Sequence, residues 1–149
     1  MTLPTKMGRP MHILHVEDNP ADVILVRMAL SKIAGVSLTS MPDGDSALAH
    51  LLAAANDDSA RPDLVLLDLN LPGIDGREVL ARLKKSVDTR DIPVVILSSS
   101  AAQVDIRAAY DLQAGGFVTK PIGLGPFTAA LREIHHYWGE VATLPERAG

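Results

Sequence analysis

The chain has 149 residues, 47% of them hydrophobic and 3% aromatic, with 14 Lys and Arg against 18 Asp and Glu for a formal net charge of -4. That length suits one domain with one substantial core of Val, Ile, Leu, Ala and Met, and it leaves little aromatic surface for base stacking. The acidic balance argues against direct nucleic-acid binding, no apolar run approaches the ~20 residues of a spanning helix, and the lack of Cys excludes disulfides, thiol catalysis and thiolate metal sites.

The opening M-T-L-P-T-K-M-G-R-P lacks the apolar core of a signal peptide, so 1–10 is expected to be a flexible arm and the chain to be cytoplasmic, with no membrane partner. At 12–16, H-I-L-H-V predicts a strand running into the acids Glu17 and Asp18. Asn19 as N-cap and Pro20 as first helical residue open a helix over 20–32 that ends at Gly35, with Val23, Val26, Leu30 and Ile33 at helical spacing. A second strand over 36–41, a turn at 42–44 and an Ala/Leu helix over 45–55 follow, then the polar loop N-D-D-S-A-R-P.

The third strand is predicted over 63–67, ahead of an acid held out at its end, Asp68, and a loop containing Asn70, Pro72 and Gly73. A helix over 76–85 carries Val79, Leu80 and Leu83 on one side. The fourth strand, 92–97, closes on Ser98, Ser99 and Ser100, of which Ser100 is the better helix cap and leaves Ser98 free. A helix over 101–112, a fifth strand over 115–119 that stops at Lys120 and Pro121, and a helix over 124–138 complete the pattern. Phe127, Leu131, Ile134 and Trp138 form the stripe of that last helix, and 139–149 reads as a tail outside the core.

Strand and helix alternate five times, which argues for a doubly wound α/β fold: a parallel sheet with helices on both faces. In such a sheet functional groups collect at the carboxyl ends of the strands. Glu17, Asp18, Asp68, Ser98 and Lys120 all fall at those ends. Three clustered carboxylates repel, by ~4 kcal/mol per pair at 4 Å for an effective dielectric near 20. A divalent cation relieves this, and all-oxygen ligands point to magnesium, with manganese as a substitute. Cation, lysine and hydroxyl together make a cradle for a phosphoryl group, with Asp68 as the nucleophile. His12, His15, His50, His135 and His136 read as structural or surface groups, since none has a second ligand at a metal-binding spacing.

The set V-E-D at 16–18, L-L-D-L-N-L-P-G-I-D-G at 66–76, I-P-V-V-I-L-S-S at 92–99 and F-V-T-K-P at 117–121 resembles the receiver domain of two-component response regulators. The resemblance spans 12–138 and implies a flavodoxin-like, five-stranded sheet in the order 2-1-3-4-5. It implies phosphotransfer from a phosphohistidine on a sensor histidine kinase to Asp68. It further implies Asp18 as a direct magnesium ligand, Glu17 acting on the metal through water, Asn70 giving its backbone carbonyl, and Lys120 pairing with phosphate. Ser98 would be the switch hydroxyl and Phe117 the switch aromatic, where the family often has Thr and Tyr; Phe117 lacks the hydroxyl on which a tyrosine readout depends.

E-D-N-P-A-D-V at 17–23, D-L-N-L-P at 68–72 and H-Y-W-G-E-V-A-T-L-P at 136–145 resemble, more narrowly, single-domain regulators that partner bacterial phytochrome kinases. On that resemblance the receiver occupies 11–138 and no output domain follows; separately, the last turn and the 139–149 tail carry more apolar surface than one helix needs, which motivates a homodimer through the last helix and that tail. The competing functions are a non-phosphorylated receiver-like binding module, a phosphate shuttle or sink in a phosphorelay, a haloacid-dehalogenase-like phosphatase and a dinucleotide binder. The phosphatase wants an acid where Asn70 stands, and no G-x-G-x-x-G follows the first strand. The chain is therefore expected to be a phosphoacceptor and not a turnover enzyme.

Overall fold

A computed structural model of the chain describes residues 7–54, 57 and 60–145. Its elements are β1 (Met11–Val16), α1 (Pro20–Ser31), β2 (Val36–Met41), α2 (Gly44–Ala53), β3 (Leu64–Leu67), α3 (Gly76–Lys85), β4 (Val94–Ser98), α4 (Gln103–Asp111), β5 (Gly116–Thr119) and α5 (Leu124–His136). All strands pair in parallel in one sheet of order β2-β1-β3-β4-β5. This is the expected flavodoxin-like, doubly wound arrangement. The chain leaves β1 in one direction to β2 and returns on its other side as β3, which opens a crevice between the carboxyl ends of β1 and β3.

Side chains alternate across each strand, so the core divides into two apolar layers. Leu14, Val16, Val65, Leu67, Val94 and Ile96 face Val79, Leu80 and Leu83 of α3. Met11, Ile13, Leu64, Leu66, Val95 and Leu97 face Val26 and Leu30 of α1 and Phe127 and Leu131 of α5. Every residue of β3 and β4 is buried, which explains their continuous apolar runs. Each such Leu, Ile or Val contributes about 1.5–3 kcal/mol through burial. That makes the sheet a rigid platform for whatever stands at its edge.

The helix starts follow local chemistry. Asn19 Oδ1 accepts the N–H groups of Ala21 at 2.9 Å and Asp22 at 3.4 Å, with Pro20 opening α1. Asp43 accepts the N–H of Ser46 at 2.7 Å, so Gly44, expected in a turn, is instead the first residue of α2. Asp75 accepts the N–H of Arg77 at 2.8 Å at the start of α3.

Two ends of the chain differ from expectation. The flexible arm expected over 1–10 is anchored in its described part, because Met7 packs on the α1–α5 layer and Arg9 pairs with Asp63 at 2.7 Å. The helix expected over 124–138 is α-helical only to His136 and then widens into a π-helical turn, Tyr137–Val141, closed by the Ala142 N–H to the Tyr137 carbonyl at 2.7 Å. The wider turn sets Trp138 against the core beside Gly115, where a Cβ would come within 3.3 Å of the indole. Residues 1–6 of the arm, Ala55 at the expected end of α2, residues 56, 58 and 59 of the polar loop, and 146–149 of the tail lie outside the described residues.

Candidate functional site

The parallel ladders continue one step past the strands and fix the site residues in register. The N–H of Glu17 donates to Met41 O at 3.0 Å, that of Asp68 to Val16 O at 3.1 Å, and that of Lys120 to Ser98 O at 2.8 Å. Backbone pairing thus carries Glu17, Asp68, Ser98 and Lys120 to one edge although they are spread over a hundred residues of sequence.

The backbone behind Asp68 is closely packed. Gly76 donates its N–H to Leu69 O at 3.0 Å, and a Cβ on it would lie 2.1 Å from the Asp68 carbonyl oxygen. Only glycine allows α3 to start there. Asn70 is exposed and its N–H reaches back to Asp68 Oδ1 at 3.2 Å, so the loop wraps the carboxylate. Asp68 itself is 6% exposed; the acid that the sequence places in the open is sunk in the crevice by this loop.

Carboxylate oxygens of Glu17, Asp18 and Asp68 lie within 4.8 Å of one another. Burial, opposed by the bonds from Lys120 and the Asn19 N–H but reinforced by the Asp68 charge, pushes the Glu17 carboxyl up to about 7. The donors are hard oxygens on two buried acids and one exposed one, a set that fits a divalent magnesium or manganese ion. Glu17, Asp18 and Asp68 are the residues that could hold it.

Lys120 supplies the one positive charge in the cluster among the described residues. Its Nζ donates to Glu17 Oε2 and Asp22 Oδ2, each at 2.8 Å, and more weakly to Asp68 Oδ2 at 3.5 Å. Burial alone would lower its pKa, yet the bonds to Asp22 and Glu17 and the Asp68 charge hold the ammonium above the usual lysine range. His15, buried on β1, is pushed down to about 4 by burial and by the Lys120 charge, against the pull of Asp22. It is neutral at pH 7, in keeping with a structural role.

On the opposite flank, Ser98 is fully buried and its Oγ accepts the N–H of Ser100 at 3.1 Å. Ser98 Oγ is an acceptor in that bond, so its own O–H is not used by it, and Ser98 does not cap the helix that follows. Ser100 Oγ accepts the Ala102 N–H at 3.1 Å and donates to Asp105 Oδ2 at 2.6 Å, and Asp105 Oδ1 meets Arg77 Nη2 at 2.5 Å. The bonds from Ser100 and then Arg77 hold the Asp105 carboxyl below its usual range. Phe117 on β5 is partly buried against the α3-side layer.

The structure thus gathers Glu17, Asp18, Asp68, Ser98 and Lys120 at one edge, with Asn70 on the loop and Phe117 on β5 two residues before Thr119, the partner of Ser98. Sequence reasoning missed Asp22 and the Ser100–Asp105–Arg77 chain. Asp22 reads as an acid in a helix first turn, favoured there by the macrodipole; nothing local announces a lysine 98 residues away.

A family model for the response regulator receiver domain matches residues 13–132. Response regulator Rcp1 of Synechocystis sp. is 41% identical over 138 residues, covering 91% of this chain and 94% of the relative. The phosphorylated cyanobacterial phytochrome response regulator RcpA has a structure that superposes with a TM-score of 0.84 at 40% identity, over 92% of this chain and 99% of that one. The Mn(2+)-bound form of Rcp1 gives a TM-score of 0.80 at 40% identity, over 92% and 100% of the two chains. With one family model over most of its length and relatives that share fold and size, the chain belongs to the response regulator receiver family.

Proposed function

We propose that this chain is a signalling phosphoacceptor: a sensor histidine kinase transfers a phosphoryl group to Asp68, and the regulator acts through the change that follows. The observation that carries this reading is the meeting of Glu17, Asp18 and Asp68 within 4.8 Å, with Lys120 Nζ 3.5 Å from Asp68. Asp68 Oδ is the attacking oxygen, and the donor imidazole leaves as the phosphorus–nitrogen bond breaks. Asp18, Asp68 and the Asn70 backbone carbonyl are the groups that would hold a divalent cation, with Glu17 acting on it through water. That cation, when bound, spreads positive charge over the transferring oxygens. Lys120 pairs with the phosphoryl group, Ser98 turns its hydroxyl to it, and Phe117 follows in the space behind.

The similarity to Rcp1 and to the phytochrome regulator RcpA supports a phytochrome-type kinase as donor. No helix among the described residues is long and apolar enough to cross a membrane, which agrees with a cytoplasmic site of action. We assign the receiver to 11–138 and a tail to 139–149. The half-exposed Tyr137 and Val141 beside the partly buried Trp138 support a homodimer through α5 and that tail. The protein has no turnover on substrates beyond its phosphodonors.

Incubation with acetyl phosphate and magnesium, read by intact mass, is the direct test. One added phosphoryl group that disappears in Asp68→Asn and without magnesium supports the reading, and no adduct under any condition refutes it. Transfer from an autophosphorylated phytochrome kinase, compared with an unrelated kinase, tests the partner. A monomer at tens of micromolar in sedimentation, with and without phosphorylation, overturns the dimer.

A further inference from the structure

An ammonium group has three N–H donors, and Lys120 meets three carboxylates. The two short bonds, both 2.8 Å, go to Glu17 and Asp22, while Asp68 receives only the 3.5 Å contact. Glu17 belongs to the group of acids that converge as a metal site, whereas Asp22 does not. Asp22 stands on the first turn of α1, held there because Asn19 caps that turn and donates its own N–H to Glu17 Oε1 at 3.1 Å. Its side chain is 26% exposed and that of Lys120 12%. Asp22 is thus the more exposed of the lysine's two close partners, since the Glu17 side chain is 1% exposed.

We propose that Asp22 is a positioning residue that restrains Lys120, holding its ammonium back from Asp68 until a phosphoryl group competes for it. This rests on the reading of Asp68 as phosphoacceptor. A phosphoryl group on Asp68 must draw Lys120 inward, so one of the short bonds has to lengthen. A cation held by Glu17, Asp18 and Asp68 would draw Glu17 away from the lysine, whereas Asp22 lies outside that group of acids. Its restraint makes phosphorylation less favourable and lets the lysine return when the phosphoryl group is lost. It also stops Lys120 from neutralising Asp68 permanently in the resting state.

Binding of beryllofluoride, a phosphoryl mimic, at saturating magnesium tests this, with 19F NMR as readout. Asp22→Asn keeps the shape of the side chain and removes its charge. It is expected to tighten beryllofluoride binding about tenfold, as the loss of one nearby unit charge at an effective dielectric near 20 allows. Asp22→Glu restores the carboxylate and is expected to return binding to near the wild-type value. Magnesium affinity, measured separately by calorimetry, should change far less than beryllofluoride affinity. Unchanged or weaker beryllofluoride binding in Asp22→Asn overturns the restraint, as does an equal change in both affinities, which a general structural loss would give. Failure of the wild type to bind the mimic at all overturns the phosphoacceptor reading together with this one, whereas wild-type binding that depends on Asp68 leaves that reading standing.

Discussion

Two aspartates bracket β3, Asp63 before it and Asp68 after it, and both are 6% exposed. Asp63 receives two guanidinium N–H bonds from Arg9, each 2.7 Å, and the backbone N–H of His12 at 2.9 Å. Asp68 receives an N–H from Asn70 at 3.2 Å and a distant ammonium at 3.5 Å, and faces two other carboxylates. Burial is the same at both ends; satisfaction is not. A well-paired buried acid serves the fold, while one placed among like charges at a strand's carboxyl end is poised for an incoming cation or phosphoryl group.

The largest effect that separates the two ends is on chemistry. Asp68→Asn should abolish the phosphoryl adduct and leave the urea midpoint unchanged or raised, since it removes one of three crowded charges. Asp63→Asn should keep the adduct and lower the midpoint. Next comes Gly76→Ala, whose Cβ would meet the Asp68 carbonyl oxygen at 2.1 Å and Leu69 Cα at 2.7 Å. Both obstacles are backbone, so the loop must move; a loss of about 2–4 kcal/mol in denaturant unfolding is expected, with slower phosphorylation.

Arg9→Ala removes the guanidinium bonds to Asp63 but leaves the His12 bond, and Arg9 is partly exposed. Its cost should be about 1–2 kcal/mol with no change in phosphorylation rate. Magnesium at ten times its dissociation constant should stabilise the wild type by about 1.4 kcal/mol in thermal unfolding. Asp18→Asn should lose most of that gain, and Arg9→Ala should retain it.

A pH dependence is expected at the Asp68 end as well. Glu17 holds its proton up to about 7 in the folded, metal-free chain and gives it up near 4.5 when unfolded. Between these values the folded state binds more protons, so its contribution to stability falls as pH rises. In metal-free buffer Glu17→Gln should gain on the wild type through that window and keep a constant difference above it, read from urea midpoints at several pH values. A difference independent of pH would show that the charge at Glu17 is already balanced.

The apolar patterns at 36–41 and 76–85 coincide with β2 and α3 because periodicity and caps such as Asp75 at α3 act over a few residues. The ends were harder to see. Nothing local distinguishes an α from a π turn at Tyr137, which depends on Trp138 docking beside Gly115. Arg9 looks like part of a loose arm until Asp63, 54 residues on, is brought beside it.

For Asp68 the division is similar. Local pattern alone puts Glu17, Asp18, Asp68, Ser98 and Lys120 at the ends of parallel strands, because strand boundaries are written in it and parallel winding places those ends on one edge. Only the tertiary structure decided how they share charge: that Asp68 is buried, that Ser98 is engaged by the Ser100 N–H, and that Lys120 leans on Asp22 and Glu17. Those outcomes depend on ångström distances between groups far apart in the chain, and electrostatic and hydrogen-bond energies change steeply over such distances.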